Sequence, residues 1–211
     1  MTNAPNSCPP PDGYEKNYQL LRSALAQADF GDRARELGFE PVAGGARLSF
    51  LGRAYHLDPQ EVRAVDGQPS LANHRSLLIH YILSSGQGGP GSQYLTLWQG
   101  EGFIRGRRDP GVDILTRPLL EAFAADYLAF QKAAQALGGQ KLEAEPGGWR
   151  EWLFPVLPRV WMKVGYLPAD EEFPTEVRAY FDDLAPTYLG FECLAFLCAV
   201  LCQALAAAKE E

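Results

Sequence analysis

Apolar residues recur along this chain with two different periods, and the switches between them mark out its elements. Tyr14, Tyr18, Leu21 and Leu25 are spaced by three and four residues, which places them on one face of an amphipathic helix expected to end near Gly38. Beyond it the period falls to two. Phe39–Val42, Arg47–Leu51 and Ala54–Leu57 are short and alternating, separated by Gly44-Gly45 and Gly52, and read as small antiparallel strands. Asp66-Gly67 marks a further turn. A helix is predicted over Leu71–Leu83, carrying Leu77, Leu78, Tyr81 and Ile82.

The second half repeats the mixture. Ser84–Ser92, SSGQGGPGS, reads as a flexible loop by composition, with a lid over a pocket as its functional alternative. Tyr94–Trp98 and Phe103-Ile104 flank Gln99–Gly102 and suggest a hairpin. Arg117-Pro118 opens a long helix to about Leu137, because proline suits the first turn, and Gly138-Gly139 ends it. Trp149–Phe154, Val160–Tyr166 and Val177–Phe181 are aromatic and β-branched, which favours strands. The last helix runs from about Phe191 to Lys209. Helices at both ends and in the middle, with strands clustered between them, predict an α+β class. The expectation is a mostly antiparallel sheet packed with three to four helices. Residues 13–211 would form a single compact domain behind a disordered, proline-rich tail at 1–12.

Composition narrows the class without naming an activity. The chain has 211 residues, enough to bury a sizeable core without metal or disulfide. It is 46% apolar and 21% charged, with a formal net charge of -7. That balance argues against non-specific nucleic-acid binding, which needs dense Lys and Arg. Met1–Gly13 has neither a basic start nor an apolar run, so no secretory signal is expected, and the cysteines do not form a disulfide framework. A cytoplasmic home follows as an expectation. Leu189–Ala208 is long enough to span a bilayer, but it is alanine-rich and lacks basic flanks, so it reads as a core helix rather than an anchor.

Candidate chemistry concentrates at a few points. Asp170-Glu171-Glu172 follows a predicted strand and precedes Phe173-Pro174, and Asp182-Asp183 ends the next strand. Clustered carboxylates bind hard cations or hold one raised pKa for acid–base work. Metal binding requires the two loops to converge; otherwise the acids are solvated strand ends. Arg105, Arg107 and Arg108 form the one basic cluster, and guanidinium forks suit carboxylate or phosphate. Tyr166, with Trp149, Trp152, Trp161 and Phe173, either fills core or lines a flat-ligand pocket. Cys198 and Cys202 share a helix face, but no second pair completes a metal site, so core packing is the expectation. His56, His74 and His80 show no metal or catalytic spacing, and no nucleophile elbow is present.

Two stretches, LPRVWMKVGYLPADEEFP and AYFDDLAPTYLGFE, resemble a bacterial family catalogued as domain of unknown function 3786. SLLIHYIL at Ser76–Leu83 and FLGRAYHL at Phe50–Leu57 also fit, so the resemblance covers about residues 14–208. It implies an association with anaerobic bacteria. Some relatives carry an added cysteine-rich iron–sulfur domain, where this chain has only Cys8 near its start. Some carry a tryptophan before the acidic motif, where this chain reads Gly165-Tyr166-Leu167. Asp170, Glu171, Glu172, Phe173 and Pro174 are the family-like motif, of unknown role. The expectation is a non-catalytic ligand-binding or accessory protein in anaerobic redox or cofactor metabolism. Its partner would be a small molecule or a protein, and no cofactor is identified. The alternative is a metal-dependent enzyme using Asp170, Glu171, Glu172, Asp182 and Asp183 for hydrolytic or transfer chemistry.

Overall fold

The computed structural model describes residues 12–97, 99, 115–124, 126–143 and 147–209. These fall into two contact-rich units: residues up to Leu48 with Ala54–Leu83, and Ser49–Arg53 with the residues from Ser84 onward.

The first unit opens with α1 (Asp12–Arg22), a 3-10 turn (Ser23–Gln27) and α2 (Asp32–Glu36). The one helix expected up to Gly38 is therefore interrupted, and Asp29 supplies the reason. Its carboxylate accepts from the amides of Gly31 at 2.7 Å and Arg33 at 3.2 Å, which satisfies N–H groups that open α2. Gly38, in the left-handed region, closes α2. Four strands follow, β1 (Glu40–Val42), β2 (Gly45–Phe50), β3 (Arg53–Leu57) and β4 (Val62–Ala64), ordered as they run in sequence. Alternation sorts them: Ala46, Leu48, Tyr55, Leu57 and Val62 are buried, while Arg47 is exposed. Helix α3 (Ala72–Ile82) turns Leu77, Leu78, Tyr81 and Ile82 inward. Tyr81 donates its hydroxyl to Leu37 O at 2.8 Å, and the Val62 amide donates to the buried Tyr18 hydroxyl at 3.1 Å.

The second unit carries β5 (Tyr94–Leu95), α4 (Arg117–Phe123), α5 (Tyr127–Ala136) and β6 (Gln140–Lys141). It continues with β7 (Arg150–Leu157), β8 (Val160–Leu167), β9 (Glu176–Asp182), α6 (Ala185–Tyr188) and α7 (Phe191–Ala207). The sheet order is β5-β9-β8-β7-β6, every pairing antiparallel. Trp152, Phe154, Met162, Val164, Ala179 and Phe181 are buried on one face. Phe130 stacks on Tyr166 with ring centroids 5.3 Å apart, and Phe123 meets Phe130 edge-on at 5.6 Å. The ladder between β7 and β8 shifts register between Phe154 and Leu157, where Pro155 has no amide to give it.

The α+β class stands, with two antiparallel sheets rather than one. Among the described residues there are seven α-helices, more than the three to four expected. One source of the difference is the helix expected over Arg117–Leu137, which is split. Phe123 O accepts from the Asp126 amide at 3.0 Å and from the Tyr166 hydroxyl at 2.7 Å, closing α4. The Asp126 carboxylate then caps α5 by accepting from the Ala129 amide at 2.9 Å. Tyr94-Leu95 pairs with β9; Phe103-Ile104, its expected hairpin partner, lie outside the described residues with Arg105, Arg107, Arg108 and the tail to residue 11. No helix among the described residues is long and apolar enough to cross a membrane.

Tyr166 binds the sheet to the helices. It is 1% exposed, and its hydroxyl ends on the carbonyl that terminates α4. Tyr166→Phe keeps the ring packing and orphans that bond. Its expected cost is about 1–2 kcal/mol, measured by chemical denaturation followed through tryptophan fluorescence.

Candidate functional site

The family-like motif forms the tip of the β8–β9 hairpin. Pro168 and Pro174 restrict the backbone on either side of it. Between them Asp170 makes a closed turn: its carboxylate accepts from the amides of Phe173 at 2.7 Å and Glu172 at 2.9 Å, and its own amide donates to Phe173 O at 3.0 Å. The donors at Phe173 and Glu172 hold the Asp170 carboxyl below its ordinary value. Thr175 anchors the base of the turn, accepting from the Ala169 amide at 3.2 Å and donating to Ala124 O at the end of α4. Glu171 and Glu172 are exposed, and so is Phe173, with 63% of its surface open. A large apolar side chain on a pinned turn, with carboxylates beside it, is the most distinctive surface feature of the hairpin.

Asp182 and Asp183 lie at the opposite end of β9. The strand runs from Glu176 to Asp182, and six steps at the usual rise separate the two acidic groups by roughly 20 Å. The structure therefore does not bring the two groups together. Asp182 is fully buried. Its carboxylate accepts from the amides of Trp161 at 2.8 Å, Gly91 at 3.0 Å and Leu184 at 3.1 Å. Burial pushes its pKa up in spite of those three donors, and Asp183 beside it adds to the shift. Asp183 is exposed; its carboxylate accepts from the Gln93 amide at 3.2 Å, and its amide donates to Gln93 O at 2.9 Å.

Ser84–Ser92 carries no helix or strand, and side chains from elsewhere in the second unit bond to it. Asp182 holds Gly91, and the Tyr188 hydroxyl donates to Gly88 O at 2.6 Å. A glycine-rich segment with few side chains of its own is framed by side chains brought from β9 and α6. Composition reports chain stiffness and carries no information about such long-range partners.

The aromatic residues divide. Tyr166 and Trp152 are buried, with Trp152 Nε1 donating to the Tyr127 hydroxyl at 3.3 Å. Trp149 lies over Gly165 and carries the Arg178 guanidinium 4.8 Å from its ring centre. Between Tyr94 and Tyr180 sits Lys163, paired with the largely buried Glu151 at 2.8 Å. Sequence reasoning missed this Glu151–Lys163 pair. Its signal was present: both are charged residues on the alternate face of otherwise apolar strands, diagonal neighbours across a hairpin.

Other candidates are structural in their surroundings. Cys198 and Cys202 are buried, and burial raises the Cys193 thiol pKa. Among the described residues no group of three or more His, Cys, Asp or Glu is placed to hold a metal ion. His74 Nδ1 lies 3.4 Å from the Tyr55 hydroxyl, and His56 Nε2 lies 3.6 Å from Asp58. A groove of about 410 Å³ opens in the first unit, with Arg63, Ser70 and Arg75 on its wall. Sequence reasoning did not single out these residues, because they share no run or spacing.

No curated protein and no solved structure matches the chain. The family model described as domain of unknown function (DUF3786) matches residues 29–204, a span that includes most of both units and the Asp170–Pro174 turn. The chain accordingly belongs to the DUF3786 family.

Proposed function

We propose that this is a non-catalytic accessory protein that acts by docking a protein partner through the tip of the β8–β9 hairpin. Its setting would be the anaerobic redox or cofactor metabolism implied by the family resemblance. The observation that carries the reading is Phe173, 63% exposed on a turn whose backbone is tied by the Asp170 carboxylate. Exposing a phenyl ring costs stability, and aromatic anchors on rigid turns lose little entropy on binding. Glu171, Glu172 and Glu176 stand near it in sequence, so the complementary partner presents an apolar cleft rimmed by Lys or Arg.

The carboxylate enzyme is the weaker alternative. Against it weigh the separation of the two acidic groups along β9 and the backbone amides already bound to Asp170 and Asp182.

The test compares wild type with Phe173→Ala as bait under anaerobic conditions, with any retained protein then purified and titrated. Phe173→Ala is expected to unfold at the same denaturant midpoint, because the ring covers little. It should weaken binding of that purified partner by at least about tenfold, the scale of an aromatic anchor. Glu171→Lys with Glu172→Lys should slow association and reduce its salt dependence. Equal affinity for wild type and Phe173→Ala would remove the tip from the reading.

A further inference from the structure

The first unit holds a feature independent of the hairpin tip. Between β4 and the start of α3 lies the groove of about 410 Å³, within the range of small-ligand sites. Arg63 from β4 and Arg75 from the first turn of α3 stand on its wall. Both guanidiniums already have partners within the protein. Arg75 lies 3.9 Å from the centre of the Tyr18 ring, and its Nη2 donates to Glu15 at 2.8 Å. Arg63 uses one nitrogen, Nη1, for both Asp58 at 2.6 Å and Glu61 at 3.1 Å. A guanidinium has five N–H donors. Among the described residues, Arg75 Nη1 and Arg63 Nη2 have no partner within the protein.

Charge is not shared evenly across the groove. Arg63 has two carboxylate partners and Arg75 has one, so the Arg63 end is net negative and the less acidic end is the neutral one at Arg75. That end is also the entry to α3. Leu71 occupies the N-cap and its side chain makes no capping bond, while Ser70 brings a hydroxyl to the groove. The helix therefore adds N–H groups and the positive end of its dipole to the same corner. Glu61, paired with Arg63, also lines the groove.

We infer that this groove binds a small oxyanion, a phosphate or carboxylate group, seated between Arg75, Ser70 and the first amides of α3, with Arg63 as the outer contact. Guanidinium forks, the Arg75 one stacked on Tyr18 before binding, give geometric selectivity that a pair of mobile lysines would lack.

The test is a titration of ¹⁵N-labelled full-length protein with inorganic phosphate and, separately, citrate. Both are run at constant ionic strength, with chloride as control, because screening alone moves surface charges. Saturable shifts are expected at Ala72, Asn73 and Arg75. Saturation by phosphate alone identifies a phosphate source, and saturation by citrate alone a carboxylate source; either supports the site. Arg75→Gln should weaken binding about tenfold or more, as for a lost charge-assisted contact. Arg63→Gln should have a smaller effect, and it keeps the proposal testable if Arg75→Gln fails to fold. No saturable shift with either anion in folded wild type overturns the inference, as does unchanged binding in a folded Arg75→Gln or, where that variant does not fold, in Arg63→Gln.

Discussion

Asp182→Ala is expected to lower the stability of the second unit by about 3 kcal/mol. The carboxylate is fully buried and accepts from three amides that belong to three different segments: the glycine-rich run at Gly91, the start of β8 at Trp161 and the entry to α6 at Leu184. Each buried N–H left without an acceptor costs about 1–3 kcal/mol, and removing a buried charge offsets part of the total. All four tryptophans of the chain lie beyond Ser84, so their fluorescence during urea unfolding reads this unit directly.

The same residue predicts a pH dependence. Burial raises the folded pKa of Asp182 above the ordinary 3.8. As pH falls through that raised value, the folded state takes up the proton before the unfolded chain does. The wild type therefore gains stability relative to Asp182→Ala between the raised pKa and 3.8, and the gap between them widens there. Above the raised pKa the gap is constant. Asp58 has the opposite sign. Burial pushes its pKa up, but the amides of Gln60 and Glu61 and the Arg63 guanidinium outweigh this and leave it low. Its contribution is present above 3.8 and fades as pH falls through the folded value. Denaturation midpoints of wild type and variant across pH 3–7 distinguish the two (roughly the range where carboxylates titrate). A gap that narrows in acid would contradict the assigned direction for Asp182.

Gly45→Ala is expected to cost the first unit at least about 3 kcal/mol, as severe overpacking against an unyielding neighbour does. A Cβ placed on Gly45 would lie 2.1 Å from Leu57 O and 3.1 Å from Leu57 C. Both atoms belong to backbone, so no side-chain rotation relieves the contact, and β2 and β3 must separate. Hydrogen exchange followed by mass spectrometry should show lost protection in β2, β3 and β4. Wild-type protection in this variant would mean that the backbone there accommodates a methyl group.

How much of this was legible depends on the range of the interaction. The β8–β9 hairpin was readable because Val160–Tyr166 and Val177–Phe181 are apolar and β-branched runs and the turn between them is bounded by Pro168 and Pro174. The Asp170 turn closes within three residues, so its prolines and acids were visible together. Asp182 was visible as an acid at a strand end, but its role was not. Its partners are backbone amides, one of them 91 residues away, and any residue except proline supplies the same N–H. The split between α4 and α5 was hidden for the same reason, since Tyr166 reaches Phe123 O from 43 residues away.

Hydrophobic period and turn residues determined the α+β class, the strands β7 to β9 and the helices α3 and α7, while the family showed through the resemblance of particular stretches. Those signals act over a few residues, and a one-dimensional pattern records them. The tertiary structure alone decided that the two acidic groups sit at opposite ends of β9, that Phe173 faces solvent while Tyr166 does not, and that Arg63 and Arg75 meet across one groove. Each depends on strand length, register and the packing of elements distant in sequence, where burial and backbone hydrogen bonding set the outcome more than residue type does.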